Sequence, residues 1–184
     1  LSTHQNMKDV MTQIHGSTQR DDIVPILDVD SFDRRFLNTD LIKEMRLRGR
    51  RLWLISYIRS VDDIIDTMCG SFDRLCVPSH TIDDPDVLSE AQELTECVIP
   101  TVFVSKGKDA FTGKSIDPVI KSIERLGYDG HALFDVDDCT LTFTTDHFSY
   151  YTVTRLTPAQ RCEKYGHEPK VYPVVISDGS RRLE

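Results

Sequence analysis

The chain has 184 residues, 39% of them hydrophobic and 28% charged, a balance that excludes both a disordered tail and a membrane protein. Its formal net charge of −8 argues against a general nucleic-acid binder, which would carry a broad basic surface. Five cysteines (Cys69, Cys76, Cys97, Cys139, Cys162), odd in number and irregular in spacing, read as reduced thiols of an intracellular protein rather than as a disulfide framework.

Residues 1–37 read as an N-terminal arm with a short helix. The first twenty residues are polar and carry Met7, Val10, Met11 and Ile14 at helical spacing, without the pattern of a secretory signal. A first residue of Leu points to a fragment or a processed product. No apolar run reaches the length of a membrane span; 52–58 and 98–104 are the longest and are core-sized.

From 38 to 96 the pattern is helical. Thr39 or Asp40 suits a helix start. Leu54, Ile58, Val61, Ile65 and Met68 repeat at 4-3-4-3 spacing and predict an amphipathic helix that Gly70-Ser71 ends. Asp84-Pro85 opens a second helix, with Val87, Leu88, Ala91 and Leu94 along one side.

From 97 to 184 the texture is β-rich. Residues 98–104 read as a buried strand, 116–126 as a short helix with Pro118 in its first turn, and 132–136, 140–145 and 150–156 as alternating strands. Residues 137–139 fit a turn, and 171–176 a last strand that Pro173 confines to an edge. The expected fold is α+β: a helical N-terminal part packed on a small antiparallel β-sheet, with 38–96 and 97–184 in one compact domain.

The segment with the most chemistry is His147-Phe148-Ser149. The Ser149 hydroxyl, with His147 as base, is placed to attack the Phe148 carbonyl if a strained turn weakens that peptide bond. Phe134-Asp135 and the run Phe143-Thr144-Thr145-Asp146-His147-Phe148-Ser149-Tyr150-Tyr151-Thr152-Val153 resemble the His-Phe-Ser hairpin of ZU5-type β-sandwich domains. They are also similar to the end of the nucleoporin autoproteolytic domain. The resemblance covers about a tenth of the chain. It implies cleavage at Phe148/Ser149, with Ser149 and His147 as catalytic residues. The plain reading is a strand.

Residues 107–115, within Ser105-Lys106-Gly107-Lys108-Asp109-Ala110-Phe111-Thr112-Gly113-Lys114-Ser115, follow an apolar strand as a phosphate loop does. Lys114 would then reach the phosphates and Ser115 would hold magnesium, but Lys108 stands where the motif needs glycine. The plain reading is an exposed basic loop. Asp62-Asp63-Ile64-Ile65-Asp66 looks like the magnesium motif of prenyl-diphosphate enzymes, yet it occurs once and fits a solvated helix face. Asp135-Val136-Asp137-Asp138-Cys139 is similar to a phosphatase motif with Cys139 in place of Thr. Asp28-Val29-Asp30-Ser31-Phe32-Asp33 imitates a calcium loop, with Thr39 where glutamate belongs. Both suit turns and caps.

Cys69, Cys76, His80 and Cys97 offer zinc ligands at unusual spacing and read more simply as apolar thiols. Lys43, Arg46, Arg48, Arg50 and Arg51 put five cations in nine residues, a local contact for phosphate or an acidic partner, or a solvated helix. With no motif complete, the expected function is a non-enzymatic structural or protein-interaction module within a larger assembly. Its expected partners are other protein subunits or a second copy of the chain, with no cofactor, metal or membrane. Autoproteolysis and nucleotide binding are the rivals.

Overall fold

The computed structural model describes residues 22–44, 51–137, 140–145 and 174–176, with isolated positions 12, 15, 16 and 18 before them. Strand β1 (Ile23–Asp28) leads directly into α1 (Val29–Arg34), followed by α2 (Thr39–Glu44) and β2 (Arg51–Ile55). Then come α3 (Val61–Met68), β3 (Arg74–Pro78), α4 (Asp86–Leu94) and β4 (Val98–Ser105). The chain continues through β5 (Lys108–Asp109), α5 (Asp117–Arg125), β6 (Gly130–Asp135), β7 (Thr140–Thr145) and β8 (Val174–Ile176).

The strands form one mixed sheet in the order β7-β6-β4-β3-β2-β1-β8, with the short β5 folded back antiparallel on β4. Strands β1, β2, β3, β4 and β6 are parallel and adjacent in chain order, so the sheet is wound in one direction and curves into a half-barrel. Besides the short β5, β7 runs against it, paired with β6 as a hairpin.

The expected helical N-terminal part on a small antiparallel sheet is therefore corrected. Helices and strands are both present, but three parallel strands stand in the first half of the chain. The cause is the burial of parallel strands on both faces, which turns their sequence into an unbroken apolar run. Leu52, Trp53, Leu54 and Ile55 are all 2% exposed or less. Such a run also matches a helical stripe, and spacing alone cannot separate the two. The predicted helix through Leu54 and Ile58 is in fact β2 and its outgoing loop; the helix begins only at Val61, capped by the Ser60 hydroxyl on the Asp63 N–H.

Side chains alternate between two layers. On the outer face Val24, Ile26, Leu52, Leu54, Leu75 and Val77 pack beneath the helices, with Ile64 of α3 and Val87, Leu88 and Ala91 of α4. Farther along, Val102 and Val104 meet Ile123 of α5. The inner face gathers Ile23, Trp53, Ile55, Ile99, Phe103 and Phe134.

Two strand prolines obey the hydrogen-bond arithmetic. Pro25 lies one residue before β8 begins to pair with β1, and Pro100 one residue before β6 begins to pair with β4. Among the described residues each sits where pairing on one side has not begun, so the absent N–H breaks no ladder there.

Candidate functional site

In parallel barrels, loops at the carboxyl ends of the strands carry the sites. Here those ends surround a cavity of about 720 Å³, within the usual range for a small-molecule pocket. Its wall is largely aromatic. Phe32 comes from α1, Tyr57 and His80 from the segments after β2 and β3, Phe103 from β4, Phe111 from the turn after β5, and Phe134 from β6. Arg35 and Asp33 stand exposed among its lining.

Phe103 is the hub of this wall. Its ring centroid lies 5.0 Å from Phe134, 5.5 Å from Phe32 and 4.8 Å from the His80 imidazole. Phe32 meets Tyr57 edge-on at 6.0 Å. These distances fall in the favourable range for ring pairs.

A buried polar knot sets the rings in place. Asp28, 1% exposed, caps α1: its Oδ1 accepts the Ser31 N–H at 3.3 Å, while the Ser56 hydroxyl donates to its Oδ2 at 3.4 Å. Ser31 donates its hydroxyl proton to the Asp28 carbonyl and accepts the Tyr57 N–H at 2.9 Å. The ends of β1 and β2 are thereby tied together, with Phe32 and Tyr57 carried beside the knot. By strand alternation Asp28 points to the side of Val24 and Ile26, away from the cavity lined by Leu27. Burial raises its carboxyl to about 6, against the opposing hydrogen bonds of Ser31, Asn38 and Ser56.

The buried Thr81 hydroxyl lies within hydrogen-bond reach of the Ile58 and Pro78 carbonyls and fixes the turn that presents His80. Burial lowers the His80 imidazole to about 4, with the nearby Asp109 carboxylate opposing, so the ring is neutral at pH 7. Its Nδ1 is buried and has no hydrogen-bond partner. It is a poor proton carrier at neutral pH and suits hydrogen bonding to a ligand.

A smaller cavity of about 390 Å³ opens at the amino ends of β4 and β6, among Arg74, Gln92, Glu96, Tyr128 and Asp129. Polar groups there are already engaged: Gln92 donates to the Gly127 carbonyl and Tyr128 to that of Leu88. In parallel barrels this end serves stability.

The residues singled out in the sequence are dispersed. His147, Phe148 and Ser149 lie outside the described residues, as do Arg46, Arg48, Arg50, Cys139 and Cys162. Lys43 is exposed on the last turn of α2 and Arg51 opens β2. The stretch 107–115 is the turn and return of the β4–β5 hairpin. Asp109 Oδ1 accepts the Phe111 and Thr112 N–H groups, donors that a phosphate would need. Ser115 binds Asp117 at the start of α5, its hydroxyl donating to Oδ2.

Asp63 accepts the Arg59 N–H and pairs with its guanidinium at 3.6 Å. Asp137 accepts the Ser105 hydroxyl and the Lys106 N–H. Among the described residues no cluster of three or more His, Cys, Asp or Glu could hold a metal ion. Cys76 is fully buried, which pushes its thiol up to about 12, while Cys69 is exposed. Also among the described residues, no helix is long and apolar enough to cross a membrane.

No protein-family model matches this sequence, and none of the curated proteins searched matches it. The functional reading rests on the site.

Proposed function

We propose that the chain binds a small, largely apolar molecule in the aromatic mouth of its half-barrel, as a binding module rather than a catalyst. The observation that carries this reading is the 720 Å³ cavity at the carboxyl ends of the strands, lined by rings from separate segments. An apolar pocket with few polar groups recognises shape and one or two hydrogen bonds. Titration with the neutral dye Nile red tests it. A saturable fluorescence rise is expected, about tenfold weaker in Val136→Glu, which sets a charge in the cavity wall. Absence of saturable binding to the parent chain overturns the reading.

A second reading, the interaction module expected from the sequence, draws support from the outer layer. Ile65 and Met68 on α3 and Leu94 on α4 are 46%, 51% and 50% exposed, on two helices that pack together. Apolar side chains left in water on adjoining elements suit a partner subunit or a second copy. Sedimentation velocity tests it: self-association that Met68→Lys with Leu94→Lys abolishes supports a second copy, and a monomeric parent counts against one.

A further inference from the structure

The charge of the chain is lopsided. Residues 61–96, which run from α3 through β3 and α4, hold ten of its thirty carboxylates and one of its twenty-two Lys and Arg residues. That stretch carries −9 against a chain total of −8, so all the rest sums to +1. Its one cation, Arg74, is half-buried and donates to the Asp73 carbonyl. Asp63 and Asp73 are engaged, the first with Arg59 and the second with the Leu52 N–H. The other eight carboxylates are exposed, among them Asp62 and Asp66 on α3 and Asp86, Glu90 and Glu93 on α4. Among the described residues none of these eight forms an ion pair.

An apolar seam runs through this acidic surface. The exposed Ile65 and Met68, three residues apart on α3, share a helical face, and the exposed Leu94 ends α4. Thr95, the residue after Leu94, lines a hollow of about 90 Å³ together with Met68, Phe72 and Cys97, so the C-terminal ends of both helices border one depression. Neither helix has a basic residue in its last turn, where Lys or Arg would offset the partial negative charge of the carbonyl ends. The contrast is α5, which balances Asp117 and Glu124 with Lys121 and Arg125.

We infer that α3 and α4 form a docking face for a basic, amphipathic helical segment of a partner protein. Its apolar stripe lies on Ile65, Met68 and Leu94, and its Lys or Arg side chains stand among the carboxylates and at the two C-terminal ends. This rests on the second reading above, that the outer layer is an interaction face, and adds the chemistry of the partner. Two helices packed side by side leave a groove suited to a third. With eight and nine residues, α3 and α4 match about two to three turns of a guest helix. Met68 supplies the flexible side chain that adapts to such a stripe. The charge also decides against a second copy docked face to face, which would oppose two −9 surfaces across one interface.

Three labelled peptides of about twelve residues are the probes: Leu at helical spacing with Lys elsewhere, the same composition scrambled, and the first with Glu for every Lys. Fluorescence anisotropy follows their binding to the parent chain, to Met68→Ser with Leu94→Ser, and to Asp66→Asn with Glu90→Gln and Glu93→Gln, all changes at exposed positions. The basic amphipathic peptide is expected to bind the parent, and about tenfold more weakly the serine variant, which lacks two of the apolar side chains to be covered. The neutralised variant is expected to lose about fivefold at low salt and almost nothing at high salt, where exposed charges are screened. The scrambled peptide is expected to bind the parent about tenfold more weakly than the amphipathic one, and the acidic peptide not at all.

Equal binding of the scrambled peptide would reduce the face to charge alone and overturns the inference. Binding that either variant leaves unchanged at low salt overturns it too. Self-association of the parent that Met68→Lys with Leu94→Lys abolishes, without peptide binding, upholds an interaction face and overturns the basic partner. Neither self-association nor peptide binding overturns both readings.

Discussion

Asp28 and His80 stand at the carboxyl ends of β1 and β3, and burial displaces both from their ordinary acidity, in opposite directions. Asp28 is raised to about 6 and His80 lowered to about 4. Their hydrogen bonding separates them. Asp28 accepts from Ser31 and Ser56 and closes a knot that joins two strand ends. His80, which lines the largest of the cavities described, leaves its buried Nδ1 unmet. A perturbed acidity alone does not mark a functional group. Satisfaction distinguishes them: Asp28 makes its bonds within the fold and holds two strand ends together, whereas the buried Nδ1 of His80 is left without one.

Truncation gives the largest expected contrast. Asp28→Ala removes the α1 cap and strands the buried Ser31 N–H and Ser56 hydroxyl, for an expected loss of about 2–3 kcal/mol in urea denaturation. His80→Phe deletes an unmet polar atom while keeping an aromatic ring, and stability is expected to stay within about 1 kcal/mol of the parent or rise. Equal losses from the two changes would break the comparison.

The pH dependence sharpens it. Asp28 is raised in the folded chain, so the native state binds more protons than the unfolded one between pH 4 and 6; its contribution is full below about 4 and lost as pH rises through 6. His80 is lowered, so the unfolded state binds more protons between pH 4 and 6.5; its contribution is present above 6.5 and lost as pH falls toward 4. The Asp28 effect is about 2–3 kcal/mol. That of His80, discounted for the water that reaches the ring, is about 1–2 kcal/mol. The slopes oppose, so the parent should change little across pH 4–6. In Asp28→Asn, which keeps a capping side chain, stability should rise with pH over this range, and in His80→Phe it should fall. Urea midpoints at pH 4, 5, 6 and 7 decide it; two variants tilting the same way would remove the opposition.

How much of this was legible in the sequence follows from the same physics. Elements marked by a local signal are plain in the sequence: the helices begun by Asp84-Pro85 and carrying Pro118, the long apolar run of β4, and β7, which pairs with its chain neighbour β6 over 140–145. The first three strands carry no such signal. β1 is interrupted by Pro25 and β3 has only five residues, while β2 imitates a helix because both its faces are buried. Without those three strands the parallel order is invisible, and with it the edge where the loops converge. In the sequence His80 stands out only as a companion to cysteines, and nothing there groups Phe32, Phe103 and Phe134. The available signal was positional, namely polar residues directly after apolar runs, as in Asp28, Ser56-Tyr57 and Ser79-His80. It acquires meaning only once those runs are known to be parallel strands.

The smallest expected effect concerns the hairpin that carries Phe111. Burial alone would raise the Asp109 carboxyl, but the hydrogen bonds of Thr112 and Phe111, together with His80 nearby, hold it below the usual carboxylate value. Because these bonds are local and exposed, Asp109→Ala should cost less than about 1 kcal/mol of global stability. It should nevertheless loosen the turn and speed amide exchange at Phe111 and Thr112, whose N–H groups both donate to the same Oδ1. The Asp28 knot lies in a different loop, so exchange at Ser31 and Tyr57 should not change. Hydrogen-exchange mass spectrometry separates the cases. Faster exchange confined to the hairpin means that the mouth is gripped on one side by a rigid knot and on the other by a turn able to yield. Exchange that spreads to Ser31 and Tyr57 would make both sides one cooperative unit and remove the distinction between them.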